Sequence, residues 1–299
     1  MSIALCSMGT ELLDPLAHTP EGMWNGPGVR VRRRVGPHAH DHRPGSICTP
    51  RFCAHRSGGL LTVDHNLTPE QLCDELAVQL AEELVDSGAL RDQPEFELVF
   101  TGVVRSTVGG GASSWVRFYR NSLARLEGGS TAFAPVHERA AALVRGRSLI
   151  DLGSCFGFFP LRLARDGIAV TATDLSAPTM RLLELASAQL GRPLRTLSCD
   201  AAAVPLPDGS ADTVTALHLL EHLDSAAIDA VLAEALRLAR RRVVVAVPFE
   251  DEPRACYGHI QRFDLARLQL LGERLSDKHS GVTATVHEFH GGWLVLDRV

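Results

Sequence analysis

The sequence has almost no lysine, few aromatic residues and no long hydrophobic run. Lys278 is the single lysine, so nearly all of the 30 basic side chains are arginines. No apolar stretch approaches the roughly 20 residues that a membrane-spanning helix needs. The formal net charge of -5 gives no bias toward nucleic acid. We therefore expect neither a transmembrane segment nor a nucleic-acid partner, whereas a peripheral membrane role stays open.

The sequence also lacks a cysteine framework and a signal peptide. Its seven cysteines are scattered and odd in number, which favours reduced thiols over disulfides. The first eight residues have neither a basic start nor a long apolar core. These features predict a cytoplasmic protein with free thiols. The cysteines are Cys6, Cys48, Cys53, Cys73, Cys155, Cys199 and Cys256.

What the chain does have is enough length and apolar content for one large or two ordinary domains. It contains 299 residues, of which 45% are hydrophobic and 22% charged. Residues 1–130 mix short strands with helices around glycine-rich breaks, so they predict an α+β module. From residue 131 onward strands and helices alternate. The module is expected to recognise substrate, to act as a lid or to form a dimer, and the oligomeric state stays open.

Two stretches of the first module invite functional interpretations. Residues 29–35 alternate apolar and basic side chains, which predicts a strand with one basic face. That face is either a site for an anionic or sugar-like ligand or a charged edge strand. His38, His40 and His42, with Cys48 and Cys53 nearby, suggest structural zinc, but a Pro- and His-rich loop explains them equally well.

The module's remaining pattern predicts three further elements. Thr68, Pro69 and Gln71 form a capping box that should begin a long helix ending at Gly88. Residues 96–104 are expected to form a strand, and residues 115–127 an amphipathic helix.

The second half predicts a doubly wound, mostly parallel sheet. Strands are expected at 148–152, 168–173, 194–198, 213–217 and 242–247, with helices between them. The last two strands, 282–288 and 293–296, are joined too closely for a crossover helix and should pair as an antiparallel hairpin.

Acidic residues follow the first three strands of this sheet, at the edge where such folds bind ligands. The turn from Gly153 to Gly157 lets backbone approach a ligand, and Asp174 lies where a carboxylate can take both ribose hydroxyls. Asp200 is placed to accept from an adenine amino group. Asp151 would repel a pyrophosphate in that turn but can hold an ammonium. The pattern therefore favours S-adenosylmethionine over a dinucleotide.

These motifs resemble those of the class I S-adenosylmethionine-dependent methyltransferases. The resemblance covers residues 135–299 and implies a Rossmann-like seven-stranded sheet with an antiparallel last strand. It also implies cofactor contacts from Leu175, Ala201 and His218. It departs at Cys155, where the family usually has Gly. The matching segments are Asp151-Leu-Gly153-x-Cys155-x-Gly157, Asp174-Leu-Ser, Cys199-Asp200-Ala201, Leu206-Pro-Asp-Gly-Ser-Ala-Asp212-Thr-Val and Leu219-Leu-Glu221-His222-Leu.

A second constellation, His218-Leu-Leu-Glu221-His222, follows the fourth strand. It resembles the Glu-x-x-Glu-His site of ubiquinone-pathway O-methyltransferases and small-RNA 2′-O-methyltransferases, with His218 in the place of the first Glu. Those families add a ligand from a later loop, for which His259 is the candidate. The four residues could bind a divalent metal, or they could line the cofactor and substrate without one. His222 or His259 could serve as the base for a hydroxyl nucleophile, beside Glu221.

The combined expectation is an O-methyltransferase acting on a sugar or oligosaccharide hydroxyl. Over its whole length the chain also resembles the methyltransferases encoded with the actinobacterial mycofactocin pathway, which act on a cofactor oligosaccharide. Arg30-x-Arg32-Arg33-Arg34 and Trp115-Val-Arg-Phe-Tyr119-Arg carry that resemblance. The alternatives are a methyltransferase for a phenol, quinone or carboxylate, a non-catalytic assembly module and, more distantly, an NAD-linked oxidoreductase.

Overall fold

The computed structural model describes residues 16–35 and 44–298. The chain divides into two compact units, with the boundary between Arg125 and Leu126. Within the described residues, no helix is both long and apolar enough to cross a bilayer.

The first unit is an α+β module with a five-stranded sheet, ordered β1-β2-β5-β4-β3. Helix α2 packs closely on this sheet, since a Cβ atom at Gly102 would lie only 2.3 Å from the Cγ2 atom of Val31. Its elements are β1 (Met23–Gly26), β2 (Val29–Arg33), β3 (Ile47–Cys48), β4 (Phe52–Ser57), β5 (Leu60–His65), α1 (Leu76–Leu80), α2 (Gln93–Thr107) and α3 (Gly111–Glu127).

Two helical segments of this unit differ from the prediction. The strand predicted at 96–104 is wrong, because these residues lie in α2, which begins after Asp92 with a proline in its first turn. Twelve consecutive residues of α2, 96–107, are buried, including the polar side chains Glu97, Thr101 and Arg105, which recur at helical spacing on one face. The predicted capping contact forms, with the Thr68 N–H donating to Gln71, but regular helix begins only at Leu76 and continues through a π-helical turn, Ala81–Val85.

Strand β2 does not lie at an edge, because β1 and β5 flank it, so the edge-strand interpretation is wrong. Arg32 and Arg34 both pair with the carboxylate of Asp64. Arg33 donates to the carbonyl oxygens of Leu67 and Thr107. The basic side chains are therefore largely engaged within the unit, and the anionic-ligand site stays a prediction.

The expectation that all thiols are reduced is wrong at one pair. Cys48 and Cys53 form a disulfide between β3 and β4, whereas Cys73, Cys155, Cys199 and Cys256 are not joined in disulfides. Cys6 lies outside the described residues. The joined cysteines offer no thiolate to zinc. The other members of that suggested site, His38, His40 and His42, lie outside the described residues.

The second unit has the predicted α/β architecture. Its sheet has seven strands in the order β11-β12-β10-β9-β6-β7-β8. Strands β10, β9, β6, β7 and β8 run parallel, and β12 is antiparallel to both β10 and β11. The elements are α4 (Ala134–Leu143), β6 (Ser148–Leu152), α5 (Phe158–Arg165), β7 (Ala169–Asp174), α6 (Ala177–Leu190), β8 (Arg195–Ser198), β9 (Ala211–Leu217), α7 (Ser225–Leu238), β10 (Ala239–Val247), α8 (Leu265–Lys278), β11 (Val282–Glu288) and β12 (Gly292–Arg298).

Helices cover both faces of this sheet, which explains the continuous apolar run of β10. Val243, Val245 and Val247 pack into one core layer, and Val244 and Ala246 pack into the other. Successive strand residues face opposite sides, so a strand buried on both faces needs apolar residues throughout. The carboxyl ends of the parallel strands then meet at one edge, where the predicted site residues lie.

Candidate active site

The turn after β6 is held in a left-handed backbone conformation at three positions. Gly153, Cys155 and Gly157 have φ values of 65°, 50° and 67°. Glycine adopts this region without a steric penalty, whereas a residue with a Cβ atom is strained there. Gly157 then caps the N-terminus of α5. Cys155 is thus accommodated in the turn, as expected, in a conformation that suits glycine better.

Asp174 braces this turn from the end of β7. Its Oδ2 atom accepts from the backbone N–H of Cys155, and its Oδ1 atom accepts from the backbone N–H of Ser176, both at 2.9 Å. Asp174 therefore holds in place the turn that follows β6. A contact with ribose hydroxyls stays a prediction for this residue.

Asp151 is buried rather than presented at the surface of the turn. Its Oδ1 atom accepts a 2.5 Å hydrogen bond from the hydroxyl of Thr215 on β9. Burial raises the pKa of Asp151 to about 6, although the bond to Thr215 acts in the opposite direction. Its expected contact with an ammonium group stays a prediction.

The remaining predicted cofactor residues lie at the ends of β7 and β8. The side chain of Leu175 is 66% exposed. Asp200 is exposed, and its Oδ1 atom accepts from the backbone N–H of Ala202. Ala201 packs against the core. These positions leave an apolar side chain and a carboxylate exposed at the edge of the sheet where its parallel strands end.

His218 follows β9 and also has a left-handed backbone, with φ 55°. The backbone N–H of His218 donates to the carbonyl oxygen of Ala246. The centroid of its ring lies 4.8 Å from the centroid of the Phe133 ring. The His218 Nδ1 atom lies 3.1 Å from Oε1 of Glu221, without the alignment of a hydrogen bond. Burial lowers the pKa of His218 well below its usual value, so the imidazole is neutral. Strain of this kind persists where surrounding structure enforces it, and it often marks functional sites.

Glu221, His222 and His259 form one compact cluster. One ligand-type atom from each residue lies within 4.8 Å of the others. Glu221 and His222 belong to a 3-10 turn, Leu220–His222, and His259 comes from the loop after β10. The backbone N–H groups of Ile260 and Gln261 donate to the carbonyl oxygen of Glu221, which ties this loop to the turn. The structure thus brings together the three predicted catalytic residues, with His218 adjoining Glu221.

The cluster contains several buried polar atoms that have no hydrogen-bond partner. They are both carboxylate oxygens of Glu221, Nε2 of His222 and Nε2 of His259. Burial raises the pKa of Glu221, and burial lowers the pKa of His222 despite the opposing effect of the Glu221 carboxylate. Buried polar atoms are nearly always paired, so this donor set suits an added cation or polar ligand.

Sequence reasoning missed two residues beside the cluster. Glu250 accepts a hydrogen bond from Nδ1 of His259 at 2.8 Å, and the Phe133 ring packs against the His218 ring at an interplanar angle of 57°. Glu250 follows β10 in a loop, and no spacing motif singles it out. No motif singles out Phe133 either, and its contact with His218 depends on how α4 packs against the sheet.

Comparisons with known proteins bear on the second unit. Residues 150–247 match a family model described as Methyltransferase domain. A ubiquinone biosynthesis O-methyltransferase from Paracidovorax citrulli (strain AAC00-1) is 32% identical over 103 residues, covering 30% of this chain and 43% of that protein. The protein of the same name from Ralstonia nicotianae (strain ATCC BAA-1114 / GMI1000) is 30% identical over 105 residues, covering 31% and 44%. The chain thus spans less than half the length of these relatives.

Solved structures resemble the chain at low sequence identity. The PH0226 protein from Pyrococcus horikoshii OT3 has a TM-score of 0.47 and 12% identity, covering 56% of this chain and 88% of that one. A SAM-dependent methyltransferase from Aquifex aeolicus has a TM-score of 0.44 and 16% identity, covering 59% and 97%. Magnesium protoporphyrin IX methyltransferase from Synechocystis PCC 6803, with bound SAM, has a TM-score of 0.43 and 18% identity, covering 63% and 84%.

Proposed function

Since the chain carries a class I S-adenosylmethionine-dependent methyltransferase domain, we propose that the protein transfers a methyl group to a hydroxyl oxygen of a small acceptor. The convergence of Glu221, His222 and His259 carries this proposal. Methyl transfer forms a C–O bond, breaks the S–CH3 bond and releases the hydroxyl proton. A weakly acidic hydroxyl needs a group that removes this proton, and the cluster provides candidates.

The cofactor site is proposed at the carboxyl ends of β6, β7 and β8. S-adenosylmethionine supplies the electrophilic methyl group when bound. Asp174 would take the ribose hydroxyls while it braces the turn at Cys155, and Leu175 would cover the adenine with its exposed side chain. Asp200 would accept from the adenine amino group, and Asp151 would balance the positive charge of the methionine part.

The proton would leave toward the histidines of the cluster. Nδ1 of His222 faces the carbonyl oxygen of Gly258 at 3.2 Å, and this oxygen can only accept. That contact puts the hydrogen on Nδ1 and leaves the Nε2 lone pair of a neutral His222 to take a proton. We propose His222 as the general base, with His259 as its partner in the site.

A divalent cation fits the same residues. Two imidazole nitrogens and a carboxylate, all buried and unpartnered, form a donor set suited to transition metals. This route is an alternative to base catalysis by His222, because a cation would occupy the Nε2 lone pair that otherwise takes the proton. The cation would instead lower the pKa of a coordinated hydroxyl. Glu221, His222 and His259 would hold it, with His218 beside Glu221.

For the acceptor we propose two classes, which share a hydroxyl beside a second oxygen. The first is the sugar or oligosaccharide expected from the sequence, including a mycofactocin-type glycan. The second is a phenol of the catechol type, favoured by the names of the two relatives, which are ubiquinone biosynthesis O-methyltransferases. The first unit would recognise substrate, act as a lid or form a dimer.

Calorimetry with S-adenosylmethionine and its demethylated product, followed by mass spectrometry of an acceptor panel, tests the proposal. We expect cofactor binding and monomethylated products with sugars or catechols. The matched controls are mono-hydroxyl analogues of each acceptor. Absence of cofactor binding would refute the proposal. Full biological function of the Asp174→Ala and His222→Ala variants would instead favour a non-catalytic assembly module.

A further inference from the structure

Within the loop after β10, Glu250 contacts Nδ1 of His259, the ring nitrogen on the side away from Glu221. Nδ1 of His259 lies 2.8 Å from Oε2 of Glu250, and the side chain of His259 is only 3% exposed. The opposite nitrogen, Nε2, lies 4.0 Å from Oε1 of Glu221. Glu250 and Glu221 therefore face opposite nitrogens of the same imidazole.

This arrangement fixes where the imidazole carries its hydrogen. A carboxylate can only accept, so the short contact with Glu250 requires the hydrogen on Nδ1. In a neutral His259 the Nε2 lone pair must then face Glu221. His222 is arranged in the same way, since its Nδ1 faces the carbonyl oxygen of Gly258. Both Nε2 atoms consequently carry acceptor lone pairs, and both are buried without a hydrogen-bond partner.

Glu250 is itself held in place by the backbone. The N–H of Arg254 donates to its Oε2 atom at 3.2 Å. The same loop is tied to the 3-10 turn through the carbonyl oxygen of Glu221, which accepts from Ile260 at 2.8 Å and from Gln261 at 3.1 Å. The orienting carboxylate and the cluster thus belong to one hydrogen-bonded assembly, which does not depend on a bound ion.

We propose that Glu250 is a positioning residue for this site: it selects the Nδ1–H form of His259 and aims the Nε2 lone pair at the position a cation takes beside Glu221. This inference rests on the proposed cation-assisted function and deepens it. Carboxylates behind metal-binding histidines fix ring orientation and strengthen the ring as a ligand. Glu250 needs no contact with substrate or cofactor for this role.

The test compares Glu250→Ala and Glu250→Gln with Glu252→Gln, a control that neutralises an exposed acid of the same loop. Mn²⁺ is titrated calorimetrically into each purified full-length protein. We expect Glu250→Ala to weaken Mn²⁺ binding about 10–100-fold. Glu250→Gln should show a smaller loss, because its amide oxygen still accepts from Nδ1. The control should match the wild type.

Nitrogen-15 NMR of the histidine rings in metal-free protein gives a second readout that does not depend on ion binding. The wild type and the control should show His259 with its hydrogen on Nδ1, and Glu250→Ala should shift it toward Nε2. An unchanged tautomer together with unchanged Mn²⁺ affinity would overturn the proposal. If the wild type bound no Mn²⁺, the cation-assisted function would fail, and the tautomer of Glu250→Ala would still decide the role of Glu250.

Discussion

Asp174 accepts a 2.9 Å hydrogen bond from the backbone N–H of Cys155 and so joins the end of one strand to the turn that follows its neighbour. The same carboxylate accepts from Ser176 at the start of the next connection. An acid that looks from the sequence like a ligand contact therefore also shapes the site before any ligand arrives.

We expect Asp174→Ala to weaken binding of S-adenosylhomocysteine at least about 10-fold, because hydrogen bonds to a charged group contribute roughly 1.5–3 kcal/mol. Calorimetry measures the affinity. Asp166→Asn is the matched control, since Asp166 pairs with Arg165 at the far end of α5. Equal affinity of Asp174→Ala and the wild type would show that Asp174 does not contribute to cofactor binding.

The fold of the second unit could be predicted because strand, turn and acid recur there in a regular order. Residues 150, 152 and 214 are buried apolar positions on strands that end at the same edge. Helix α2 was not predicted, because residues 96–104 are rich in Phe and Val, which are typical of strands, although Glu97, Thr101 and Arg105 recur at helical spacing. The start of α2 nevertheless has a sequence signal, because Asp92 is an N-cap residue whose side chain accepts from the backbone N–H of Glu95.

Some residues of the candidate site could likewise be predicted from the sequence, and others could not. Glu221 and His222 are neighbours in sequence, so a motif reveals them, and His259 was found by analogy with a later-loop ligand. Glu250 was missed because its contact with His259, nine positions later in the sequence, is set by the path of the loop rather than by helical or strand spacing. The left-handed conformation of His218 likewise has no sequence signal, because residues other than glycine seldom adopt it and no neighbouring residue marks the turn.

Substitution of Cys155 tests the backbone strain in the turn from Gly153 to Gly157. Its φ of 50° costs a residue with a Cβ atom roughly 1–2 kcal/mol. We expect Cys155→Gly to be at least as stable as the wild type, and Cys155→Val to lose at least about 1 kcal/mol, because β-branched residues tolerate this region worst. Urea unfolding measures both variants. A Val variant as stable as the Gly variant would argue against a left-handed conformation at this position.

The buried acid Asp151 should make stability depend on pH. Burial raises its pKa in the folded protein to about 6, above the 3.8 of an ordinary aspartate. The folded state therefore binds this proton more tightly, and the associated stability is present below about pH 4 and is lost as the pH rises to about 6. Its full size is on the order of 3 kcal/mol.

Asp151→Asn removes this titration while keeping an oxygen that can accept from Thr215. We expect the variant to gain stability relative to the wild type as the pH rises from about 4 to about 6, with little further change above it. Urea unfolding at several pH values measures the difference. A difference that is flat over this range would show that Asp151 does not titrate with a raised pKa.

The Glu221 carboxylate should lower the free energy of unfolding of the metal-free protein. The carboxylate is fully buried, neither oxygen has a hydrogen-bond partner, and burial raises its pKa. A buried charge without a partner costs more than a neutral amide, and an amide N–H can donate to the neighbouring Nε2 lone pairs. Glu221→Gln should therefore raise the free energy of unfolding in metal-free protein and abolish stabilisation by Mn²⁺.

The matched comparison is Glu234→Gln, because Glu234 is also buried but pairs with Arg237 and with the backbone N–H of Val204. Neutralising this satisfied carboxylate should lower the free energy of unfolding, with the opposite sign to Glu221→Gln. Urea unfolding at pH 8, with a chelator and then with Mn²⁺, measures both variants. If both substitutions destabilised the metal-free protein alike, the Glu221 carboxylate would have to be satisfied within the fold, and its availability to a cation would be refuted.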